Sequence, residues 1–524
     1  MLTLSNVTKT HAAGPVLVDV TLALAPGARI GVVGSNGVGK STLLQVMAGL
    51  EHVDAGTVTR TPHSLRVGYL PQEPEAVPGE TLLARLSRLT GIAAAEAELD
   101  RLTQALEHDP RLADAYTEAL DRFLALGGDD LRARARSVCA EVGLGAARLE
   151  QPLETLSGGE SARAALAAIL LARFDVFLLD EPTNDLDFEG LERLEHFLGS
   201  LRGAVAVVSH DRALLDRTVT RIVELEEGTH QAQEYAGGWS EYEAARGRAR
   251  TAQYRRFEEV EDRRGELEAL LRARRGQARA GDSLGRRTGG ADRRGTQALR
   301  SKVRQAERAL ERLDDVRKPF EPWVLRLELA PERRGADVVA RLEGAVVERG
   351  AFRLGPVDLE LGWHERVALT GRNGSGKTTL LRALLGELPL SAGRRYLGPG
   401  VVVGELDQGR RRFLTPDPVL AAFRDLPIPE ARSLLAKFGL GADDVERPAS
   451  SLSPGERTRA VLALLIAQRV NCLVLDEPTN HLDLPAIEEL EGALTRFPGT
   501  VVLVTHDRRF LEAFEPTRVH SLDA

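Results

Sequence analysis

Two stretches of this 524-residue chain have the residues and spacing to hold a phosphate. The first is Gly34-Ser35-Asn36-Gly37-Val38-Gly39-Lys40-Ser41-Thr42, and the second is Gly371-Arg372-Asn373-Gly374-Ser375-Gly376-Lys377-Thr378-Thr379. Both match GxxxxGK[ST]. The glycines let backbone N–H groups close around phosphate oxygens, and a following helix adds its positive end. Lys40 and Lys377 are placed to reach the β and γ phosphates, and Ser41 and Thr378 to offer hydroxyls to Mg²⁺. Downstream, VFLLD and CLVLD run into Asp180-Glu181 and Asp476-Glu477. After a phosphate loop, such an Asp holds Mg²⁺ through water and the Glu orients or deprotonates the attacking water. A further apolar run in each half ends in a histidine, Ser209-His210-Asp211 and Thr505-His506-Asp507, where a γ-phosphate sensor would sit. The chemistry these residues suit is metal-assisted hydrolysis of a phosphate-bearing nucleotide, in two sites.

The elements that must position them come in the same order in each half. RIGVVG and RVALTG are short apolar strands entering the loops, and LLQVMAGL and LLRALLGEL are helices leaving them. The predicted fold is therefore α/β, with two P-loop nucleotide-binding domains at residues 1–245 and 321–524. Between them, 246–320 reads as a long α-helical hairpin. Leu299, Val303, Ala306, Leu310 and Leu313 alternate in steps of four and three, a heptad seam. Phe257, Val260, Leu267 and Leu271 hold the same phase, with Arg264 breaking the stripe. Gly276, Gly281, Gly285, Gly289, Gly290 and Gly295 argue for a non-helical tip over about 276–295. From Arg246 to Lys318 there are 22 basic residues against 12 acidic, a net +10, whereas the whole chain is −8, leaving −18 on the rest. A basic spike on an acidic body suits a polyanion, and Arg279, Arg286, Arg287, Arg293 and Arg294 at the tip are the RNA-binding candidates. Charge alone also allows a solvated linker.

Composition narrows the classes. Cys139 and Cys472 stand alone and far apart, which excludes a disulfide framework, a zinc knuckle or an iron–sulfur cluster. Met1 leads straight into strand-like residues, so no signal peptide is expected. No apolar run approaches the roughly 18 residues of a membrane span. The expectation is a cytoplasmic protein.

Just before each Asp-Glu strand stands Leu156-Ser157-Gly158-Gly159-Glu160 or Leu452-Ser453-Pro454-Gly455-Glu456. LSGGE, together with the phosphate loop, the DEPT strand and the strand-end His, resembles the ATP-binding cassette ATPases. That resemblance implies that Gln72 and Gln408 contact metal and water. It also implies that the cassettes pack head to tail within one monomer, each ATP lying between one phosphate loop and the other cassette's signature. The first site would combine Lys40, Ser41, Gln72, Asp180, Glu181 and His210 with Ser453 and Gly455. The second would combine Lys377, Thr378, Gln408, Asp476, Glu477 and His506 with Ser157, Gly158 and Gly159. Pro454 departs from the family pattern and removes one backbone donor. Where the family stacks an aromatic on adenine, the nearest residues are His11 and Arg349, which points to weaker base recognition or to cation–π contact.

DEPTNDLD and DEPTNHLD, continued by SHDRALLD and THDRRFLE, resemble the ABC-F subfamily in particular. That resemblance implies a ribosome-bound ATPase whose linker reaches the peptidyl-transferase centre near 23S rRNA and the P-site tRNA. It implies either antibiotic protection or a housekeeping role in translation. Spacing adds a separate observation: Gln72 to Ser157 spans 85 residues and Gln408 to Ser453 spans 45. The excess falls at about 92–128, a helical arm divided by Pro110. The ATPase subunit of a membrane importer is the alternative. Two intact catalytic sets, DEPTNxLD in both copies and the basic hairpin argue against it.

Overall fold

The structure, a computed structural model, describes residues 1–287, Arg308 and 335–522, apart from 13, 72–76, 107, 157, 185, 351, 408–409, 481 and 483. The side chains of 158–159, 162, 274–287, 411 and 454 also lie outside the description. The chain divides into two units, Met1–Trp239 with Val324–Ala524, and Ser240–Trp323.

In the first unit each half builds one mostly parallel sheet and one small antiparallel sheet. The parallel order in the N-terminal half is Val67–Leu70, Val176–Asp180, Ala204–Val208, Arg29–Val33 and Arg221–Leu225, with Ala232–Ala236 antiparallel at the edge. The C-terminal half repeats it as Val403–Leu406, Cys472–Asp476, Thr500–Val504, Arg366–Thr370 and Arg518–Ser521. The central strands Val176–Asp180, Ala204–Val208, Cys472–Asp476 and Thr500–Val504 are buried at every position. Unbroken apolar runs suit them because helices cover both faces of a parallel sheet. The phosphate-loop and Asp-Glu strands are separated only by the strand that ends in His, so all three motifs open at the same carboxyl edge, where such sheets bind ligands.

The small sheets order Gly14–Leu24, Leu2–His11, Ala55–Arg60 and, in the other half, Phe352–Gly362, Val338–Arg349, Ala392–Leu397. Helices Ile92–Leu106 and Ala113–Leu126 form the predicted arm, and Pro110 opens a short turn between them where Asp109 accepts the Arg111 N–H. Among the described residues no helix is long and apolar enough to cross a membrane.

The second unit is described along one helix, Trp239–Arg287. Trp239 and Tyr242 are buried at its start, and among the described side chains farther along Leu267 and Leu271 are buried, with Phe257, Val260 and Arg264 half-buried in the same phase, so the stripe expected from the sequence is withdrawn from solvent. The helix runs on through Gly276, Gly281 and Gly285, which corrects the non-helical tip expected from about 276. Each glycine costs about 1 kcal/mol in a helix, and the Ala, Arg and Gln residues between them are strong helix formers. The expectations for Leu299, Val303, Ala306, Leu310, Leu313, Gly289, Gly290, Gly295, Arg293 and Arg294 fall outside the described residues. The side chains of Arg279, Arg286 and Arg287 do too.

Candidate nucleotide sites

The two phosphate loops share one backbone. Gly34, Gly37 and Gly39 have φ of 150°, 81° and 113°, and Gly371, Gly374 and Gly376 have 148°, 85° and 103°. Such angles belong to glycine. At Gly39 the reason is also spatial, because an added Cβ would lie 2.5 Å from Val16 Cγ1 and 2.9 Å from Val16 O. Gly376 is crowded by Phe352 in the same way. Lys40 Nζ donates to Gly34 O at 2.8 Å and Ser35 O at 3.0 Å, and Lys377 Nζ to Gly371 O at 2.7 Å and Arg372 O at 3.0 Å. Both buried ammoniums are thus pinned to their own loops, and the helices Lys40–Ala48 and Lys377–Leu385 start there. Thr42 and Thr379, like Ser35 and Asn36, lie on this loop-to-helix junction.

The loop hydroxyls meet the strand-end carboxylates. Thr378 Oγ1 donates to Asp476 Oδ2 at 2.8 Å, and Ser41 bonds the side chain of Asp180. Burial pushes both Asp180 and Asp476 up from the usual carboxylate range. A buried, deprotonatable carboxylate touching a hydroxyl is the oxygen-donor pair a divalent magnesium ion takes, so the residues present fit Mg²⁺ with ATP. Tyr69 adds a contact that sequence reasoning missed, its hydroxyl donating to Asp180 Oδ2 at 3.0 Å. Burial, then the Asp180 charge, push the Tyr69 hydroxyl far up, so it stays a donor. Its position just ahead of Gln72 on the strand Val67–Leu70 was the available signal.

Glu181 and Glu477 are buried and both adopt φ of 49°, a left-handed conformation that a glutamate takes only when the surroundings impose it. The imposing bonds are visible. Glu181 N donates to Val208 O at 2.8 Å and His210 N to Glu181 Oε2 at 3.2 Å. Glu477 N donates to Val504 O at 2.9 Å and His506 N to Glu477 Oε2 at 3.3 Å. The imidazoles follow, with His210 Nε2 at 3.3 Å from Glu181 Oε1 and His506 Nε2 at 3.6 Å from Glu477 Oε1. Burial and the Lys377 charge drive His506 down to about 3, so its ring is neutral. A carboxylate base beside a neutral imidazole can order a water and take its proton.

Residues of one cassette also reach the other. Asp187 Oδ2 accepts the Asn373 N–H at 2.8 Å, inside the second phosphate loop. Phe188 meets His506 edge-on at 5.3 Å between ring centroids, and Glu189 pairs with Arg372 at 2.7 Å. The contact is reciprocal farther out. Buried Arg212 pairs with Glu491, and the equivalent Arg508 pairs with Glu195 at 2.7 Å. Asp187 belongs to DEPTNDLDF, but its reach across 186 residues carries no local signature.

Ser453 caps the helix Pro454–Ala467 in a capping box: its hydroxyl accepts the Glu456 N–H at 3.3 Å, and Glu456 Oε2 accepts the Ser453 N–H at 2.7 Å. Pro454 sits in the first turn, where the helix needs no N–H, so it fits the fold while still lacking the donor a ligand could use. Gly455 follows in that turn, and Gly158 and Gly159 open the matching helix Gly158–Leu171. Ser157, Gln72 and Gln408 lie outside the described residues. His11 and Arg349 are solvent-exposed.

The chain is similar to known proteins along nearly its whole length. The family model described as ABC transporter matches residues 17–184 and 354–480. The tylosin resistance ATP-binding protein TlrC of Streptomyces fradiae is 38% identical over 98% of this chain and 96% of its own length. The energy-dependent translational throttle protein EttA of Mycobacterium tuberculosis is 32% identical over 97% of this chain and 89% of its own. ABC transporter F family member 2 of Arabidopsis thaliana is 31% identical over 97% of this chain and 74% of its own. With likeness running end to end and both cassettes matched, the chain belongs to the ATP-binding cassette family, in its ABC-F branch, and is an ATPase.

Proposed function

We propose that the protein binds the ribosome and uses ATP to set the position of its linker, protecting the peptidyl-transferase centre from an antibiotic. ATP sits between the phosphate loop of one cassette and the signature of the other. Lys40 and Lys377 hold the terminal phosphates. Mg²⁺ supplies charge neutralisation there, held by Ser41, Asp180 and Gln72 in the first site and by Thr378, Asp476 and Gln408 in the second. Glu181 and Glu477 orient and deprotonate the attacking water, and His210 and His506 keep those carboxylates aimed. Closure places the linker against 23S rRNA and the P-site tRNA, where tip arginines neutralise phosphates. Hydrolysis reopens the cassettes. The site of action is the cytoplasm.

One observation carries this reading. Two complete catalytic sets flank a basic linker in a chain that matches a tylosin resistance protein over nearly its whole length. The match to a translational throttle protein supports the same target but favours a housekeeping role in translation. The Glu181→Gln/Glu477→Gln double variant should co-sediment with 70S ribosomes when ATP is present, and less so as salt rises. A variant that stays in the supernatant removes the ribosome from the proposal. Expression in a susceptible bacterium should raise the inhibitory concentration of tylosin or of another macrolide, lincosamide, streptogramin or phenicol. No change for any of them leaves the housekeeping role.

A further inference from the structure

Arg410 is a cation at the centre of the second cassette. It is 2% exposed and holds a left-handed φ of 48°, two residues beyond Gln408. Its guanidinium makes four hydrogen bonds. Nη1 donates to Asp407 O at 2.6 Å, just past the strand Val403–Leu406. Nη2 donates to Glu477 O at 3.2 Å and Asn480 O at 3.4 Å, the turn that follows the Asp-Glu strand. Nε donates to Thr458 Oγ1 at 3.2 Å, and fully buried Thr458 stands in the second turn of the helix that Ser453 caps.

A guanidinium holds its donors in a rigid planar fork. Three segments that bond to one fork cannot shift against each other without leaving a buried donor or acceptor unmet. Two of the segments, the glutamine loop and the Glu477 turn, belong to the second ATP site. The third carries the signature Ser453 and Gly455, which closes the first. We propose that Arg410 is a positioning residue that links the two ATP sites through the second cassette, so that movement of the Glu477 turn at one site is passed to the signature at the other. The inference rests on the composite-site reading above. The first cassette does not carry the same link. In the first cassette the residue two places beyond Gln72 is Pro74, which has no side-chain donor to make it.

The test reads each site alone, in the full chain, by phosphate release in a single turnover with protein in excess of ATP. A Glu477→Gln background reports the first site and a Glu181→Gln background the second. Arg410→Lys keeps the charge and loses the fork. It should slow both sites about tenfold, the weight of one hydrogen bond from a charged donor. Thr458→Val removes a single oxygen and carries the test should Arg410→Lys fail to fold. It should slow the first site, and the Arg410→Lys/Thr458→Val double variant should be no slower than Arg410→Lys, because one link is broken only once. Slowing confined to the second site, no slowing, or additive effects would overturn the link. Ser453→Arg in the Glu477→Gln background tests the underlying reading separately. If first-site release survives it, the composite site is wrong whatever Arg410 does.

Discussion

Asp187 offers the sharpest test of how one cassette serves the other's site. Its two oxygens have different duties. Oδ1 accepts the Gly190 N–H at 2.9 Å and caps the helix Phe188–Ser200. Oδ2 accepts the Asn373 N–H at 2.8 Å in the second phosphate loop. Burial raises the pKa of this carboxyl, but the Asn373 and Gly190 N–H groups outweigh that and hold it below the usual range, so it is ionised at neutral pH. Asp187→Asn leaves one acceptor oxygen for two donors. The cap is local and keeps it, whereas the bond across cassettes is lost. A hydrogen bond to a charged acceptor contributes about 1.5–3 kcal/mol, and half-burial puts this one at the lower end, about tenfold in rate. In single-turnover phosphate release, Asp187→Asn should slow the second site, read in the Glu181→Gln background, about tenfold. It should leave the first site, read in the Glu477→Gln background, unchanged. Its melting temperature should fall by no more than the loss of that one bond. Asp187→Ala should lose the cap as well, about 1 kcal/mol or roughly 2–4 °C. Equal slowing of both sites, or of neither, would refute the reasoning, since among the described residues Asp187 reaches across cassettes to the second loop.

Two further outcomes are expected. Gly39→Ala should abolish ATP binding at the first site, measured by calorimetry in a Lys377→Ala background, whereas Gly37→Ala, whose added Cβ meets nothing within 4 Å, should cost only about 1 kcal/mol. Adding Val16→Ala to Gly39→Ala should restore binding only in part, because the Val16 carbonyl and the φ of 113° remain. His506, driven down to about 3, stays neutral in the folded chain while an unfolded histidine protonates near 6.5. The unfolded state therefore binds the extra proton as pH falls from about 6.5 towards 3, and native stability drops across that window. Denaturant titrations should show His506→Gln gaining about 2 kcal/mol relative to the parent between pH 7 and pH 5. Asp507, raised to about 6 by burial, opposes this by taking a proton in the folded state, but it is common to both proteins and cancels from the difference.

What could be read from residues alone was local or repeated. The phosphate loops follow from glycine spacing, because the angles those positions require exclude side chains. The buried strands before Asp180 and Asp476 follow from unbroken apolar runs, and the arm at about 92–128 from an excess of residues between two motifs. The stripe through Leu267 and Leu271 follows from its period. Each of these depends on neighbours in sequence, where backbone geometry and burial leave a periodic mark. The helical run through Gly276, Gly281 and Gly285 was not legible because glycine discourages a helix without forbidding one, and the residues between the glycines outweigh it. Only the folded chain decided the rest. Tyr69 on Asp180, Asp187 on Asn373, Arg212 on Glu491 and Arg410 between Glu477 and Thr458 join residues with no fixed sequence spacing. The left-handed Glu181 and Glu477 are held by strands that pair beside them. The physical reason is the same in each case: a hydrogen bond or ion pair is made by whichever groups packing brings together, and packing is a property of the whole unit rather than of any stretch within it.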